Sequence, residues 1–338
     1  MTPHWNEGYI QEYNFSIQHE VMDNTTLMVA YVGNTARHLY ISRENNPAIP
    51  LPFTTQTFAQ QLADTNTRRR LNYLQCLNGQ GVSQPCYGPF ALNDNNAFSN
   101  YNSLQVTFNR RYSKGVTLLA SYVWAKYIDL VSFGAEGGSG PRNPFNLFLD
   151  RGLSNNDVRH RFVASYIWQL PQADRYKSSR MGVLVNGWEV NGIVTAQTGT
   201  PFTVTSGTDR SLTAIGNDTA DWLPGQPTTL DTGRSRNQLI NQYFNTAAFT
   251  LAAPGTFGTT GRNTMIGPGL LNFDFAIFKN FLISERLGSI QFRNEYFNIF
   301  NNVNLLNPNS SVNNGSAFGT ITGARDPRYV QFALKWIF

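Results

Sequence analysis

The residues of this chain with the clearest potential for covalent chemistry are two cysteines, Cys76 and Cys86. They lie ten positions apart in a stretch rich in glycine, asparagine, glutamine and proline. No histidine lies near them, so their spacing does not fit a zinc site. A disulfide that closes a small loop in an oxidising compartment fits the pattern better, with two unpaired thiols as the alternative.

The histidines give no catalytic or metal-binding spacing. The chain has four of them: His4, His19, His38 and His160. No H-E-x-x-H or G-x-S-x-G motif is present. His160 follows Asp157 closely, but its neighbours Arg159 and Arg161 are more typical of an interfacial residue at a strand start. Asn93–Asn96 lacks the repeated acidic spacing of a calcium loop. We therefore expect no enzyme, no cofactor and no bound metal.

The composition of the chain argues against a soluble enzyme and against a nucleic-acid-binding protein. Charged residues make up 14% and aromatic residues 13% of the chain, a low and a high share respectively. The net charge of +5 is not concentrated, since only Arg68-Arg69-Arg70 forms a basic run, within a polar stretch. We expect that run to be a solvated basic patch on a loop, and no binding of nucleic acid.

Apolar and polar residues alternate along much of the chain, which predicts β-strands. The clearest alternation is at the C-terminus, where one face carries Val330, Phe332, Leu334, Trp336 and Phe338. The pattern is imperfect in 287–301, because Asn294 and Asn298 share a face with aromatic residues. A tilted strand needs about nine to eleven residues to cross a bilayer, and the predicted strands reach that length. The nine predicted strands are residues 9–20, 25–33, 100–112, 115–129, 157–170, 182–199, 269–284, 287–301 and 328–338.

The connections between these strands alternate between short and long. In order they are residues 21–24, 34–99, 113–114, 130–156, 171–181, 200–268, 285–286 and 302–327. Outer-membrane barrels have short periplasmic turns and long extracellular loops. The pattern therefore predicts an all-β fold, a transmembrane antiparallel β-barrel.

The same alternation predicts that residues 1–338 are an incomplete barrel. The last connection is long and therefore predicted to be extracellular, so the final strand ends in the periplasm. Counting back through nine strands, the first strand begins at the extracellular side. Single-chain bacterial barrels have an even number of strands and periplasmic termini. The beginning of the sequence also lacks the pattern of a signal peptide.

Short motifs in a consistent order carry a family resemblance. They are Asp157–Phe162 (DVRHRF), Gln197–Phe202 (QTGTPF), Asn245–Phe249 (NTAAF), Pro254–Asn263 (PGTFGTTGRN), Gly267–Gly269 (GPG), Asn272–Asp274 (NFD), Phe278–Phe281 (FKNF), Glu295–Asn301 (EYFNIFN), Ala324–Arg328 (ARDPR) and Gln331–Lys335 (QFALK). Together they resemble the Oar-like TonB-dependent transporters common in Acidobacteria. Such proteins have an N-terminal carboxypeptidase-regulatory-like domain, a plug domain and a barrel of about twenty-two strands. The resemblance implies that residues 1–338 supply about nine of these strands, without the plug, the N-terminal domain or the TonB box.

The resemblance also implies roles for particular side chains. The pattern ending in Phe338 resembles the signal recognised by the outer-membrane assembly machinery, and an ordinary lipid-facing strand is compatible with it. Arg111, Arg161, Arg293 and Glu295 would line a polar lumen, where they either contact the plug or are simply hydrated.

Aromatic residues fall into two groups. Those within predicted strands fit aromatic girdles at the bilayer interfaces: Trp124, Trp168, Trp188 and Trp336. Those in long loops are candidates for stacking on a sugar: Tyr73, Tyr87, Trp222 and Tyr243.

The expected function is that of an outer-membrane transporter or receptor barrel, whose long extracellular loops engage a small-molecule, carbohydrate or peptide ligand. Energised uptake would require the plug and the TonB complex. The expected partners are outer-membrane lipid, the assembly machinery, the TonB complex and that ligand. The alternatives are a passive porin-like or structural surface barrel, a soluble all-β lectin or adhesin, and an inactive gene fragment.

Overall fold

The computed structural model describes residues 6–132, 140–176, 179–216, 218–231, 233–284 and 286–338. This part of the chain is dominated by long β-strands. They are β1 (Tyr9–Met22), β2 (Thr25–Glu44), β3 (Ala91–Ser113), β4 (Val116–Asp129), β5 (His160–Gln169), β6 (Trp188–Gln197), β7 (Leu270–Ser284), β8 (Gly288–Phe297) and β9 (Tyr329–Ile337).

All nine strands form one antiparallel sheet in which each strand pairs with its neighbours in the sequence. A short strand, Gly152–Leu153, pairs with the end of β4. β1 and β9 are the two edges, so the sheet does not close on itself within the described residues. The predicted fold class, an all-β antiparallel sheet of an incomplete barrel, is confirmed.

Tight turns join the strands at one end of the sheet, which we call the short-turn end. β3 and β4 are joined by Lys114 and Gly115, whose φ angles are +50° and +83°. Two successive positive φ values characterise the type I′ turn, whose twist matches that of the flanking strands. β1 and β2 are joined by Asp23 and Asn24, with Asn24 at φ +60°. Of the predicted turn 285–286, residue 285 lies outside the described residues.

Two predicted strands are shorter than the sequence pattern indicated. Residues 182–187 were predicted as the start of a strand, but helix α2 (Arg180–Val185) occupies this position. The helix begins there because the side chain of Ser179 caps it by accepting a hydrogen bond from the Gly182 amide. The predicted strand 287–301 ends at Phe297, because Asn298 adopts a φ of +51° and begins a turn.

The β2 and β3 strands are longer than predicted. Residues 34–44 and 91–99 were assigned to a connection, yet most of them extend the β2–β3 ladder beyond the neighbouring strands. The ladder is irregular between Ala36 and Ile41. Polar residues occupy both faces of this extension, so it carries no apolar alternation that would reveal it.

The long connections lie at the other end of the sheet, the long-loop end, and contain only short elements. The helices described there are α1 (Phe58–Ala63) and α3 (Arg236–Asn241), and the 3-10 turns described there are Thr65–Arg68, Leu147–Asp150, Thr246–Ala248 and Val312–Ala317. A further 3-10 turn, Asp174–Tyr176, lies at the short-turn end. Three two-stranded pairs join Gln75–Leu77 to Ser83–Pro85, Pro201–Phe202 to Met265–Ile266, and Asp221–Trp222 to Phe249–Thr250. Among the described residues, no helix combines the length and apolar character needed to cross a membrane.

The β3–β4 turn yields a prediction about stability. A Cβ at Gly115 would lie 2.6 Å from the carbonyl oxygen of Gln169, whereas a Cβ at Gly225 would meet nothing within 4 Å. Both glycines have φ near +82°, so alanine carries a similar backbone cost of about 1–2 kcal/mol at either site. We expect Gly115→Ala to lower the free energy of unfolding clearly more than the control Gly225→Ala, measured by denaturant unfolding in lipid vesicles. Equal losses would show that the contact with Gln169 is relieved without cost.

Candidate functional site

The register of the sheet separates its side chains onto two faces, because residues opposite each other in an antiparallel ladder share a face. We call one the apolar face; a row across it contains Val29, Val106, Tyr122, Phe162, Ala196 and Leu271. We call the other the polar face; a row across it contains Gln169, Glu189, Phe278, Arg293 and Ala333. An apolar face over the whole width of the sheet is what a bilayer requires of a membrane wall.

The C-terminal residues singled out from the sequence lie together on the apolar face. Val330, Phe332, Leu334 and Trp336 belong to the edge strand β9 and are all exposed. Phe338 follows β9, is 96% exposed, and packs its ring 5.8 Å from that of Trp336. An apolar edge strand has unpaired backbone groups along one side, to which another strand can bond. Recognition of β9 by the assembly machinery stays a prediction.

Three of the four predicted lumen residues, Arg161, Arg293 and Glu295, lie on the polar face. The guanidinium of Arg293 donates to Gln291 Oε1 (2.7 Å) and lies 4.7 Å from the centre of the Phe278 ring. Arg111 lies at the short-turn end, where the β3–β4 pairing is interrupted by a bulge. Its amide donates to the Asn24 carbonyl. In the described part of the chain, no ion pair is formed by any of these four side chains.

A groove of about 450 Å³ runs along the polar face across β4 to β8. Its floor includes three aliphatic side chains, Leu119, Ile167 and Ile193, which are 44%, 45% and 46% exposed. We call these three residues the apolar stripe. The carboxylates of Glu189, Asp274 and Glu295 also line the groove. Ala276 and Phe278 extend the apolar lining of the groove. A continuous exposed apolar patch of this kind marks a place where another surface packs.

At the long-loop end, four connections pack on one another: residues 45–90, 130–159, 198–269 and 298–328. We call this layer the loop cap. It has an apolar core of its own, with Phe202, Val204, Phe244, Phe249 and Met265 buried and Phe318 packed against them. Backbone bonds tie two loops together, including Tyr243 to Gly319 (2.8 Å) and Ile321 to Ile240 (2.8 Å).

Two arginines, the buried Arg142 and the partly exposed Arg262, join other parts of the cap. Arg262 donates to the carbonyls of Asp150 (2.6 Å) and Asp129 (2.9 Å) and forms an ion pair with the Asp129 carboxylate. Arg142 donates to the Thr260 carbonyl (3.1 Å) and pairs with Asp150 (3.0 Å from Nε to Oδ1). Each guanidinium therefore bridges loop 130–159, or the end of β4 beside it, to loop 198–269.

The basic run Arg68-Arg69-Arg70 is a solvated patch, as predicted, only at the exposed Arg70. Arg68 and Arg69 are buried. Arg68 donates to the carbonyls of Ile49 (2.7 Å) and Leu212 (3.2 Å), and Arg69 to that of Asn46 (2.7 Å). Burial lowers the pKa of Arg68, which the nearby carboxylates partly oppose. These two arginines hold loop 45–90 together, and Arg68 also fixes it to loop 198–269.

A cavity of about 400 Å³ lies between loops 130–159 and 198–269. Arg142, Asp150 and Arg262 line it. Burial raises the pKa of Asp150, and Arg142 partly opposes that effect. Because both guanidinium groups already donate to carbonyls and carboxylates of the cap, the polar lining serves to join the loops.

The structure pairs Cys76 and Cys86 in a disulfide. The bond closes the small hairpin Gln75–Leu77/Ser83–Pro85 at the surface of the cap. Tyr73 and Leu77 beside it are each 74% exposed, and Tyr87 and Trp222 are also exposed. Tyr243, also a sequence candidate for stacking, is half-buried and donates to the Ile266 carbonyl (3.2 Å), and burial raises its pKa. Tyr243 is therefore a packing residue.

The residues considered for catalysis have separate contacts. Asp157 accepts from the Tyr127 amide (2.6 Å) and pairs with Arg159 (3.5 Å), while His160 Nδ1 lies 2.8 Å from the Tyr122 hydroxyl. Within the described residues, no group of three or more His, Cys, Asp or Glu side chains could hold a metal ion. His4 lies outside the described residues.

Sequence reasoning did not find the arginines that join the loops. Arg142 and Arg262 are isolated in polar stretches, and their partners lie more than a hundred residues away in several cases. The sequence gives one indication of this role, because Arg262 lies within the motif Pro254–Asn263.

The Arg262 contacts predict that the cap loosens when this side chain is lost. Arg262→Met leaves the buried Asp129 carboxylate with the Ser132 hydroxyl but without its positively charged partner. Loss of one partner of a buried ion pair typically costs about 3–5 kcal/mol. We expect faster proteinase K cleavage within loops 130–159 and 198–269, while the strands stay protected. Arg236→Met removes an exposed arginine of the same loop and is the matched control. Unchanged cleavage of Arg262→Met would contradict this role.

A buried carboxylate in loop 198–269 predicts a pH dependence. Asp218 is 1% exposed and accepts from the Ser211 amide (2.6 Å). Burial, together with the neighbouring Asp209, raises its pKa from the ordinary 3.8. The folded state then holds this proton to higher pH than the unfolded state, so the stability contributed at Asp218 falls as pH rises above about 4.

We expect Asp218→Asn, which has no charge to bury, to raise the thermal unfolding midpoint relative to the unsubstituted protein at pH 8. The difference should shrink towards pH 4. A difference that does not change between these pH values would show that the ionisation of Asp218 is not involved.

Comparison with known proteins identifies a family for most of the chain. Residues 1–331 match the family described as "Outer membrane beta barrel domain". No curated protein matches the chain. Among solved structures, P. aeruginosa FpvA bound to heterologous pyoverdines has 10% identity and a TM-score of 0.41, over 97% of this chain and 27% of that one. The outer membrane transporter YddB from Escherichia coli has 8% identity and a TM-score of 0.44, over 98% of this chain and 32% of that one.

This chain thus spans less than a third of the length of either solved structure. The family match, by contrast, covers nearly the whole chain. The chain belongs to the outer-membrane β-barrel domain family, and its place is the bacterial outer membrane.

Proposed function

We propose that this chain forms part of the wall of a TonB-dependent transporter, of the Oar-like type that its motifs resemble. In this proposal the loop cap engages the ligand, and a plug domain supplied from outside residues 1–338 packs against the polar face. Energised uptake then depends on the plug and on its coupling to the TonB complex. The chain itself carries no catalytic step.

The apolar stripe is the observation that carries this proposal. The interior of a passive pore is lined by groups that water solvates well. Leu119, Ile167 and Ile193 instead offer half-exposed aliphatic surface in a groove of about 450 Å³. Burying such surface is favourable by about 25 cal/mol per Å². A folded domain inside the barrel is a partner that would cover it.

The charged side chains around the stripe support the same partner. Glu295 lines the groove, and Arg161 lies on the same face. Since neither forms an ion pair among the described residues, both are free to make charge-assisted hydrogen bonds to a docked surface.

The loop cap supports binding of a ligand from the long-loop side, which in outer-membrane barrels is extracellular. Its buried arginines and apolar core hold the loops in one arrangement, and a pre-organised surface loses less entropy on binding. Tyr73, Tyr87 and Trp222 present exposed rings there. The ligand class proposed is a small molecule, a carbohydrate or a peptide.

Conductance of the whole protein in planar lipid bilayers tests this function, with potassium chloride as the probe. We expect the unsubstituted protein to be nearly silent, because the plug fills the lumen. The double variant Ile167→Asp/Ile193→Asp should conduct roughly tenfold more, since losing about 1.4 kcal/mol of plug docking already shifts an equilibrium tenfold.

The matched control is Gln105→Asp/Thr107→Asp, on the polar face of β3, where the opposite residues Val123 and Ser121 are not part of the stripe. This control should stay silent. Steady conductance by the unsubstituted protein would identify a passive porin-like barrel and overturn the proposal.

A further inference from the structure

One connection at the short-turn end differs from the others. The β5–β6 connection, residues 170–187, contains a 3-10 turn and helix α2, whereas two residues join β1 to β2 and β3 to β4. A hairpin needs only a few residues to reverse the chain. The β5–β6 connection is therefore longer than chain reversal requires.

Helix α2 lies on the outer, apolar side of the sheet. Two side chains of the apolar face bond to backbone carbonyls at its C-terminal end. Trp188 Nε1 donates to the Leu184 carbonyl (2.8 Å), and Lys279 Nζ donates to the Asn186 carbonyl. Lys279 also lies 5.2 Å from the Trp188 ring and 5.1 Å from the Phe281 ring. These contacts fix α2 against the surface that faces lipid.

The helix presents apolar side chains outward. Met181, Val183, Leu184 and Val185 are 54%, 58%, 66% and 43% exposed. Their surface continues the apolar face through Trp188 and Lys279, so it adjoins the lipid that the sheet already contacts.

We propose that α2 is an interfacial anchor, which seats its apolar side chains in the lipid leaflet at the short-turn side of the membrane. Helices that lie at a membrane surface bury their apolar side chains at the boundary between headgroups and acyl chains. The sequence of residues 170–187 contains three basic residues and one acidic residue, and this net positive charge favours anionic headgroups. Lys279 is a positioning residue, because it holds the end of the helix. The anchor does not depend on whether the barrel transports anything.

Labelling at Leu184 tests the anchor in the whole protein, reconstituted into phosphatidylethanolamine/phosphatidylglycerol vesicles. Because Cys76 and Cys86 form a disulfide, Leu184→Cys provides a free thiol for an environment-sensitive fluorophore without reduction. Gln172→Cys, in the same connection and exposed, is the matched control. Heat-modifiable migration on gels verifies that both variants are folded.

We expect the label at position 184 to emit at shorter wavelength and to be quenched by nitroxide on the acyl chains near the headgroup. Aqueous iodide should quench it little. The label at position 172 should show the opposite preference. Equal iodide quenching at both positions, with no lipid quenching at 184, would overturn the anchor.

A second comparison tests the positioning role of Lys279. Lys279→Met in the Leu184→Cys background should reduce lipid quenching, because the bond to Asn186 is lost. Lys335→Met, which removes a lysine from the polar face, should leave it unchanged. Unchanged quenching in Lys279→Met would contradict the positioning role.

Discussion

The structure depends on one constraint: backbone amides and carbonyls within hydrocarbon must bond to each other, since lipid offers no partner. The chain meets this constraint by pairing each long strand with the next one in sequence, from β1 to β9. Consecutive antiparallel pairing places alternate connections at opposite ends of the sheet. The two ends can then differ in character, with tight turns at one end and long loops at the other.

The long-loop end carries the long connections, which pack on one another as the loop cap. Three arginines, Arg68, Arg142 and Arg262, bond to carbonyls of distant segments and join three of the loops. Backbone hydrogen bonds add the fourth loop, residues 298–328, to the same layer. Positive charge is tolerated there because each guanidinium has carbonyl or carboxylate partners. At the opposite end, Lys279 holds helix α2 by donating to the backbone carbonyl of Asn186. At both ends of the sheet, a positively charged side chain holds a connection in place by donating hydrogen bonds to its backbone carbonyls.

The strands within the membrane were predictable from the sequence because lipid contact imposes a period of two, as in β7 and β9. This alternation ends where the strands leave the lipid. The polar residues that extend β2 and β3 beyond that point therefore give no strand pattern in the sequence. Helix α2 was read as strand because its run of Val183, Leu184 and Val185 is apolar in either conformation. The burial of Arg68 depends on the Leu212 carbonyl, far away in the sequence, which no local pattern reveals.

The central claim is that the sheet is a membrane wall whose apolar face meets lipid and whose polar face meets the interior. Single cysteines at each position from Leu271 to Ile277 in β7 test this most directly, in the whole protein in vesicles. Leu271, Phe273, Phe275 and Ile277 should be reached by a lipid-soluble quencher, and Asn272, Asp274 and Ala276 should not. Accessibility without a period of two, or uniform access from water, would contradict the account.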